Sequence, residues 1–190
     1  LGKLRWRHGG LLRAVCASAA GRVEAFNAQD VANLVYTLGI LGCKDDRFLQ
    51  SVCRSVAKRL GSFKPQEVSN SVYAMGLLEY RHAGFLSAVC DHVQAHLVQF
   101  QAQDFSNTLY GMGALGYKNS QFLAVFAAEV RARLGEFTPQ GLAMTIYAMS
   151  LLGYRDDLFL TSFSSHVSPR VGELNAQEIA ILAYSLTLIV

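Results

Sequence analysis

Apolar residues fall along this chain in short helical stripes, and the stripes themselves recur. After Asp30 they occupy positions 31, 35, 38 and 41, the spacing of one helix face. After Asp46 a second stripe takes 48, 49, 52, 56 and 60. Phe85, Leu86, Val89, Val93 and Leu97 repeat the second stripe, and Phe122, Leu123, Phe126, Val130 and Leu134 repeat it again. Each unit therefore predicts two helices.

The unit is 37 residues long: Phe26, Phe63, Phe100, Phe137 and Leu174 stand at that spacing with no insertion. Three residues after each comes glutamine, at 29, 66, 103, 140 and 177, followed by Asp or Glu in four copies and by Gly141 in the other. Tyr36, Tyr73, Tyr110, Tyr147 and Tyr184 keep the same register. A fixed period of this length marks stacked helix pairs. The expected fold is all-α: an α-solenoid of helix-turn-helix repeats, about five of them, in a right-handed superhelix. Residues 1–190 form one solenoid segment, with repeats at about 26–62, 63–99, 100–136 and 137–173 and partial repeats at 1–25 and 174–190.

Local signals set the helix ends. Position 27 and its equivalents stand where an N-cap belongs, though Lys64 and Gln101 are poor caps. Pro65 and Pro139 suit a first helical turn. The following carboxylate completes a capping box and favours the positive helix end. Gly42, Gly116 and Gly153 mark the first helix's stop, with Glu79 in their place once. Gly61, Gly135 and Gly172 are expected to close the second helix, and Pro169 to shorten or kink the fourth one. Small residues hold two further columns: Ala32, Ser69, Ser106, Ala143 and Ala180, then Thr37, Ala74, Gly111, Ala148 and Ser185. They let neighbouring helices approach. Both chain ends fall inside a repeat and are apolar, so other chain or other proteins are expected to cover them.

Composition agrees with a packed chain. It is 52% hydrophobic and 11% aromatic, too apolar for disorder. No apolar run reaches the ~18–20 residues of a membrane span, so no membrane partner is expected. The opening residues have neither a starting Met nor a signal-peptide layout.

No reactive cluster is legible. Cys16, Cys53 and Cys90 are one repeat apart, with Ala127 and Ser164 continuing the column, which reads as a small buried position. Cys43 stands alone in a turn. His92 and His96 are four apart but lack a third ligand, and without a CxxC pair no metal site is expected. His8 and His82 are expected in solvated turns. No phosphate loop or nucleophile elbow appears. The chain is expected to be no enzyme and to need no cofactor.

The charges are periodic, although 17 cations nearly balance 14 anions. Arg7, Lys44, Arg81, Lys118 and Arg155 put a cation in every turn after a first helix, preceded by Trp6, Tyr80, Tyr117 and Tyr154 in four copies. Stacking makes such a column a row that tracks a phosphate backbone, its aromatics stacking bases. The opposing reading is that cations near helix C-termini complement the macrodipole, with the tyrosines as spacers. The same pair of readings applies to a second row, Arg22, Arg59, His96, Arg133 and Arg170. Asn33, Asn70 and Asn107 share a first-helix face, continued by Met144 and Ile181, with Leu34, Ser71, Thr108, Thr145 and Leu182 beside them. They either read bases from an exposed face or form a ladder between helices.

The pattern Phe-x-Pro/Ala-Gln-Asp/Glu, then Tyr-Ala-Met-Gly-x-Leu-Gly-Tyr-Arg/Lys, resembles the octotricopeptide and heptatricopeptide repeats of organellar RNA-binding proteins, often joined to a RAP domain. Residues 73–81 and 147–155 carry it most clearly. The resemblance covers nearly the whole chain, and the 37-residue unit looks more like the heptatricopeptide kind. It implies RNA binding in mitochondria, or alternatively plastids, in transcript maturation, stability or translation, or in a mitochondrial ribosome with fragmented ribosomal RNA. The resulting expectation is a non-catalytic RNA-binding solenoid whose partners are ribosomal or organellar RNA and neighbouring proteins. The alternative is a protein-interaction scaffold. RNA binding predicts the first cationic row exposed and free of carboxylates; a scaffold predicts it paired internally beside an apolar groove.

Overall fold

A computed structural model describes residues 8–189; Trp6 and Arg7 lie outside them. The described residues form ten α-helices and no strand. The first helices of the repeats are α2 (Ala28–Leu41), α4 (Pro65–Leu77), α6 (Ala102–Ala114), α8 (Pro139–Leu151) and α10 (Ala176–Ile189). The second helices are α1 (Gly9–Ala20), α3 (Asp46–Lys58), α5 (Ala83–His96), α7 (Ser120–Ala132) and α9 (Asp157–Val167). Even helices pack on even helices and odd on odd, in chain order. The chain is thus an α-solenoid of two helical rows.

The caps show how each unit starts. Asn27 and Thr138 side chains accept from the backbone N–H of Asp30 and Gly141. Where the cap residue is unsuitable, the box runs one way. Glu67 accepts from Lys64 N at 2.8 Å and Asp104 from Gln101 N at 3.0 Å. Asn175 and Glu178 form both halves. The odd helices are capped by Asp45, Asn119 and Asp156, each accepting from an N–H three residues on. His8 and His82 occupy the same column and cap too, each Nδ1 accepting from Leu11 N or Phe85 N. They are therefore structural, not merely solvated; the imidazole lone pair does what the carboxylate or amide oxygen does in other copies.

The even helices stop as expected. Gly42, Gly116 and Gly153 have φ between 54° and 60°, and Glu79 takes the same left-handed conformation at 50°. The odd helices end sooner than the glycines imply. They stop at residues such as Lys58 and Ala132, and Gly61 and Gly135 lie in the 3-10 turns that follow. Val98 holds the equivalent place in the turn Leu97–Gln99, so no glycine is required there. Pro169 acts as expected: α9 has 11 residues, and a six-residue 3-10 segment, Ser168–Glu173, replaces its last turn.

One apolar core runs between the rows. Phe63, Phe100 and Phe137 are buried in it, as are Phe48, Phe85 and Phe122 from the odd helices. The even row packs much more closely than the odd one, because small residues meet at each crossing. A methyl on Gly76 would stand 2.9 Å from the Gly111 Cα, and one on Gly39 or Gly113 would crowd Ala74 or Ala148 at 3.1–3.2 Å. Two rows of unequal spacing bend the stack towards the tighter one, so the even helices line the inner face.

This packing is testable. A methyl on Gly111 would lie 2.4 Å from the Val72 carbonyl oxygen, whereas one on Gly61 meets nothing within 4 Å. Gly111→Ala should destabilise the fold by ~1–3 kcal/mol through overpacking, while Gly61→Ala should be neutral or stabilising by up to about 1 kcal/mol. Denaturant midpoints of the two variants check this.

Candidate functional site

The inner face carries one feature that the packing does not use. On each even helix the glutamine, the residue four on and the tyrosine seven on lie within ~60° of one another around the axis. Together they make a stripe along the helix, and stacking sets five stripes side by side. Gln29, Gln66, Gln103, Gln140 and Gln177 are all exposed, and none of their amides has a protein partner among the described residues. A side chain that recurs in every copy, lies exposed and makes no hydrogen bond among the described residues is available to a ligand.

The tyrosines form a ladder. Ring centroids are 6.2 Å apart for Tyr36–Tyr73, 5.2 Å for Tyr73–Tyr110 and 6.4 Å for Tyr110–Tyr147, all tilted. Partial burial, then the neighbouring phenols, pushes Tyr73 and Tyr110 above the usual tyrosine range. These rings stay neutral at physiological pH. Between them and the glutamines lie Asn33, Asn70 and Asn107, with Asn107 Nδ2 donating to Asn70 Oδ1 at 3.3 Å. The ladder reading of this column is thus realised at one step, yet Asn33 is exposed and Asn70 and Asn107 still line the groove. The adjacent column does not share that face: Ser71, Thr108 and Thr145 are buried. Ser71 and Thr145 donate to backbone carbonyls one turn back, leaving only the Thr108 hydroxyl without a partner among the described residues.

The resulting groove holds about 860 Å³ between Tyr36 and Met144, walled by Gln66, Asn70, Gln103, Asn107 and Gln140. A second hollow of about 670 Å³ continues it towards α10. There the lining turns apolar, with Ala143, Met144, Ala180 and Ile181 between the tyrosines. Beside the carboxylates of Glu136 and Glu178, the walls offer neutral donors, neutral acceptors and aromatic faces. That chemistry suits flat heterocycles with polar edges.

The first cationic row stands in the turns after the even helices. Lys44, Arg81, Lys118 and Arg155 are all exposed. Lys44 Nζ donates to the Glu79 carbonyl at 3.1 Å and lies 5.9 Å from the Tyr80 ring centre. Lys118 Nζ donates to the Gly153 carbonyl at 2.8 Å, and Arg81 lies over Tyr117 at 5.9 Å. Each of these three thus reaches the C-terminal turn of the next even helix. Among the described residues of this row only Arg155 meets a carboxylate, Asp157 at 2.9 Å, in an exposed pair. The row complements helix ends and remains open to solvent. Tyr80, Tyr117 and Tyr154 pack against the core, with burial raising Tyr80 and Tyr154 above the usual phenol range.

The second cationic row is engaged internally. Arg59 donates to the Phe26 and Val23 carbonyls at 2.8 and 3.0 Å, stapling α3 to the preceding repeat. Arg170 reaches the Phe137 carbonyl at 3.4 Å and Glu173 at 3.1 Å. Arg133 pairs with Glu129 and Glu136 and lies over Phe105, His96 Nδ1 meets the His92 carbonyl, and Arg22 bonds Ser18. Among the described residues no group of three candidate metal ligands forms, and no helix is long and apolar enough to cross a membrane.

Residues 8–120 match the family described as RNA-editing substrate-binding complex 6 protein. That is more than half of the chain. The chain belongs to this family. The matched segment holds α1 to α6 and with them all three asparagines; Met144 and Ile181 lie beyond it. No curated protein matches the chain.

The cysteines belong to the core rather than to a site. Burial pushes Cys16 up to about 11 and Cys53 and Cys90 up to about 12, from an ordinary 9.0. Above 9.0 the unfolded chain loses thiol protons that the folded chain keeps, so the unfolded state binds fewer protons and stability falls as pH rises through that window. A Cys16→Ala, Cys53→Ala, Cys90→Ala variant gives these positions the residue that Ala127 already supplies in the same column. It should show a smaller loss of denaturant midpoint between neutral pH and about pH 10.5.

Proposed function

We propose that this chain is a non-catalytic RNA-holding solenoid of a mitochondrial ribonucleoprotein assembly that handles RNA-editing substrates. The single observation behind this is the groove of amides and tyrosines, repeated in register along the inner face. Family membership supports it, since the family's description names an RNA-editing substrate-binding complex. The groove's chemistry suits bases, and the exposed cations of the turns after the even helices suit phosphates. The chain holds RNA and leaves the chemistry of changing it to other members of the assembly. The repeat is of the heptatricopeptide or octotricopeptide kind, and the assembly is an editing-substrate complex in preference to a mitochondrial ribosome or a plastid counterpart.

A second role, as a scaffold between proteins, has its own support. Ile179, Tyr184, Leu186 and Leu188 are exposed on α10, an apolar surface that suits a protein neighbour.

Titrating RNA binding against salt tests the RNA reading. The parent should bind single-stranded RNA, and changing Lys44, Arg81, Lys118 and Arg155 to Gln should flatten the log–log salt slope by roughly three units, at ~0.7 per phosphate contact. A parent that binds no RNA at low salt overturns the reading and leaves the scaffold. An unchanged slope removes the phosphates from this row.

A further inference from the structure

The middle of each inner stripe changes along the stack. It is asparagine in three consecutive copies, at 33, 70 and 107, then Met144 and Ile181. Glutamine and tyrosine do not change. From this we infer that the groove selects sequence at only three adjacent nucleotides, reading the same base, adenine, at each, and holds the nucleotides beyond them without selection. The inference rests on the RNA reading above.

Spacing supports one nucleotide per repeat. Neighbouring tyrosine rings are 5.2–6.4 Å apart, well beyond the ~3.4 Å advance of a stacked strand. A strand in register with the repeats must therefore be extended, with its bases unstacked from one another and free to meet the wall. Helical repeats in other RNA readers take one base each. Charge supports the orientation. The wall is built mainly of uncharged amides and phenols, with carboxylates at Glu136 and, in the second hollow, Glu178, while Lys44, Arg81 and Lys118 stand exposed in the turns after the even helices. Uncharged base edges fit the wall, and phosphates fit the turns.

Selection follows from what each residue type can bond. An asparagine amide offers a donor and an acceptor side by side, which match N6 and N7 of adenine. The Asn107–Asn70 bond uses one donor of the first and one lone pair of the second, so each amide keeps both functions for a ligand. The same amide on the same face of three successive helices reads the same base. Met144 and Ile181 offer no hydrogen bond, so they pack on any base, and the tyrosine beside each stacks on any base. The glutamines recur in every copy and cannot separate one position from another.

The experiment uses fluorescence anisotropy with the full chain and labelled RNAs of ~12 nucleotides. The probes are the four homopolymers and uridine oligomers carrying three or four adjacent adenosines. The parent should prefer oligoadenylate by about tenfold or more, and three adenosines should recover most of that gain. The variant Asn33→Met, Asn70→Met, Asn107→Met places in the column a residue it already contains, so the helices should fold; circular dichroism checks that. It should bind all four homopolymers within about threefold of one another, at the parent's uridine affinity. Conversely, Met144→Asn should make the fourth adenosine count, by about fivefold or more. RNA binding without base preference, preference for another base, or an adenine preference that survives in the triple variant overturns this inference and leaves the RNA reading standing. No binding to any RNA overturns both.

Discussion

Backbone meets backbone along the even row, and the rest of the molecule follows from that contact. At Gly76 and Gly111 there is no room for even a methyl group, and the alanines beside Gly39 and Gly113 sit almost as close. Small residues at this crossing draw one row together while the phenylalanines of the other row hold it apart. The resulting curvature brings five helix faces into one groove. Larger residues there would spread the tyrosines, and the groove would lose its regular spacing.

The repeats are also tied by polar contacts that run in both directions along the chain. Lys44 reaches the carbonyl of Glu79, and Lys118 that of Gly153, so a turn in one repeat finishes a helix in the next. Arg59 and Arg170 reach back to the Phe26 and Phe137 carbonyls that open their own repeats, and Arg59 also to Val23 in the repeat before. The Glu79 contact falls where a non-glycine residue holds a left-handed backbone, a conformation that costs about 1–2 kcal/mol. No such link reaches beyond the adjoining repeat, the energetic pattern of a one-dimensional stack.

Much of this architecture is legible in the sequence, because period and apolar spacing are both local signals. The period, the two helices, the Gly42-type stops and the shortening at Pro169 all follow from residues within one repeat. What is illegible depends on exposure and on contacts about 35 residues away. Gln29 and its equivalents recur as faithfully as Phe26 and its equivalents, so in the sequence both serve as register markers. Only the fold separates them, burying most of the phenylalanines and leaving every glutamine bare. The tyrosines are ambiguous for the same reason. His8 and His82 read as loop residues because histidine is an unusual cap. Thr108 and Thr145 share a helix with the groove residues but are turned one position too far, into the helix–helix contact.

The tyrosine ladder has a mechanical consequence. Its rungs belong to different repeats, so the distance between them is set by how far one repeat is rotated on the next. Flexing the solenoid changes every rung at once, and a ligand lying across several rungs fixes their separations together. Occupancy of the groove and elasticity of the coil are therefore conjugate: anything that stretches or coils the protein from its ends alters the fit of a long ligand in the middle, and a bound strand acts as a splint that stiffens the whole stack.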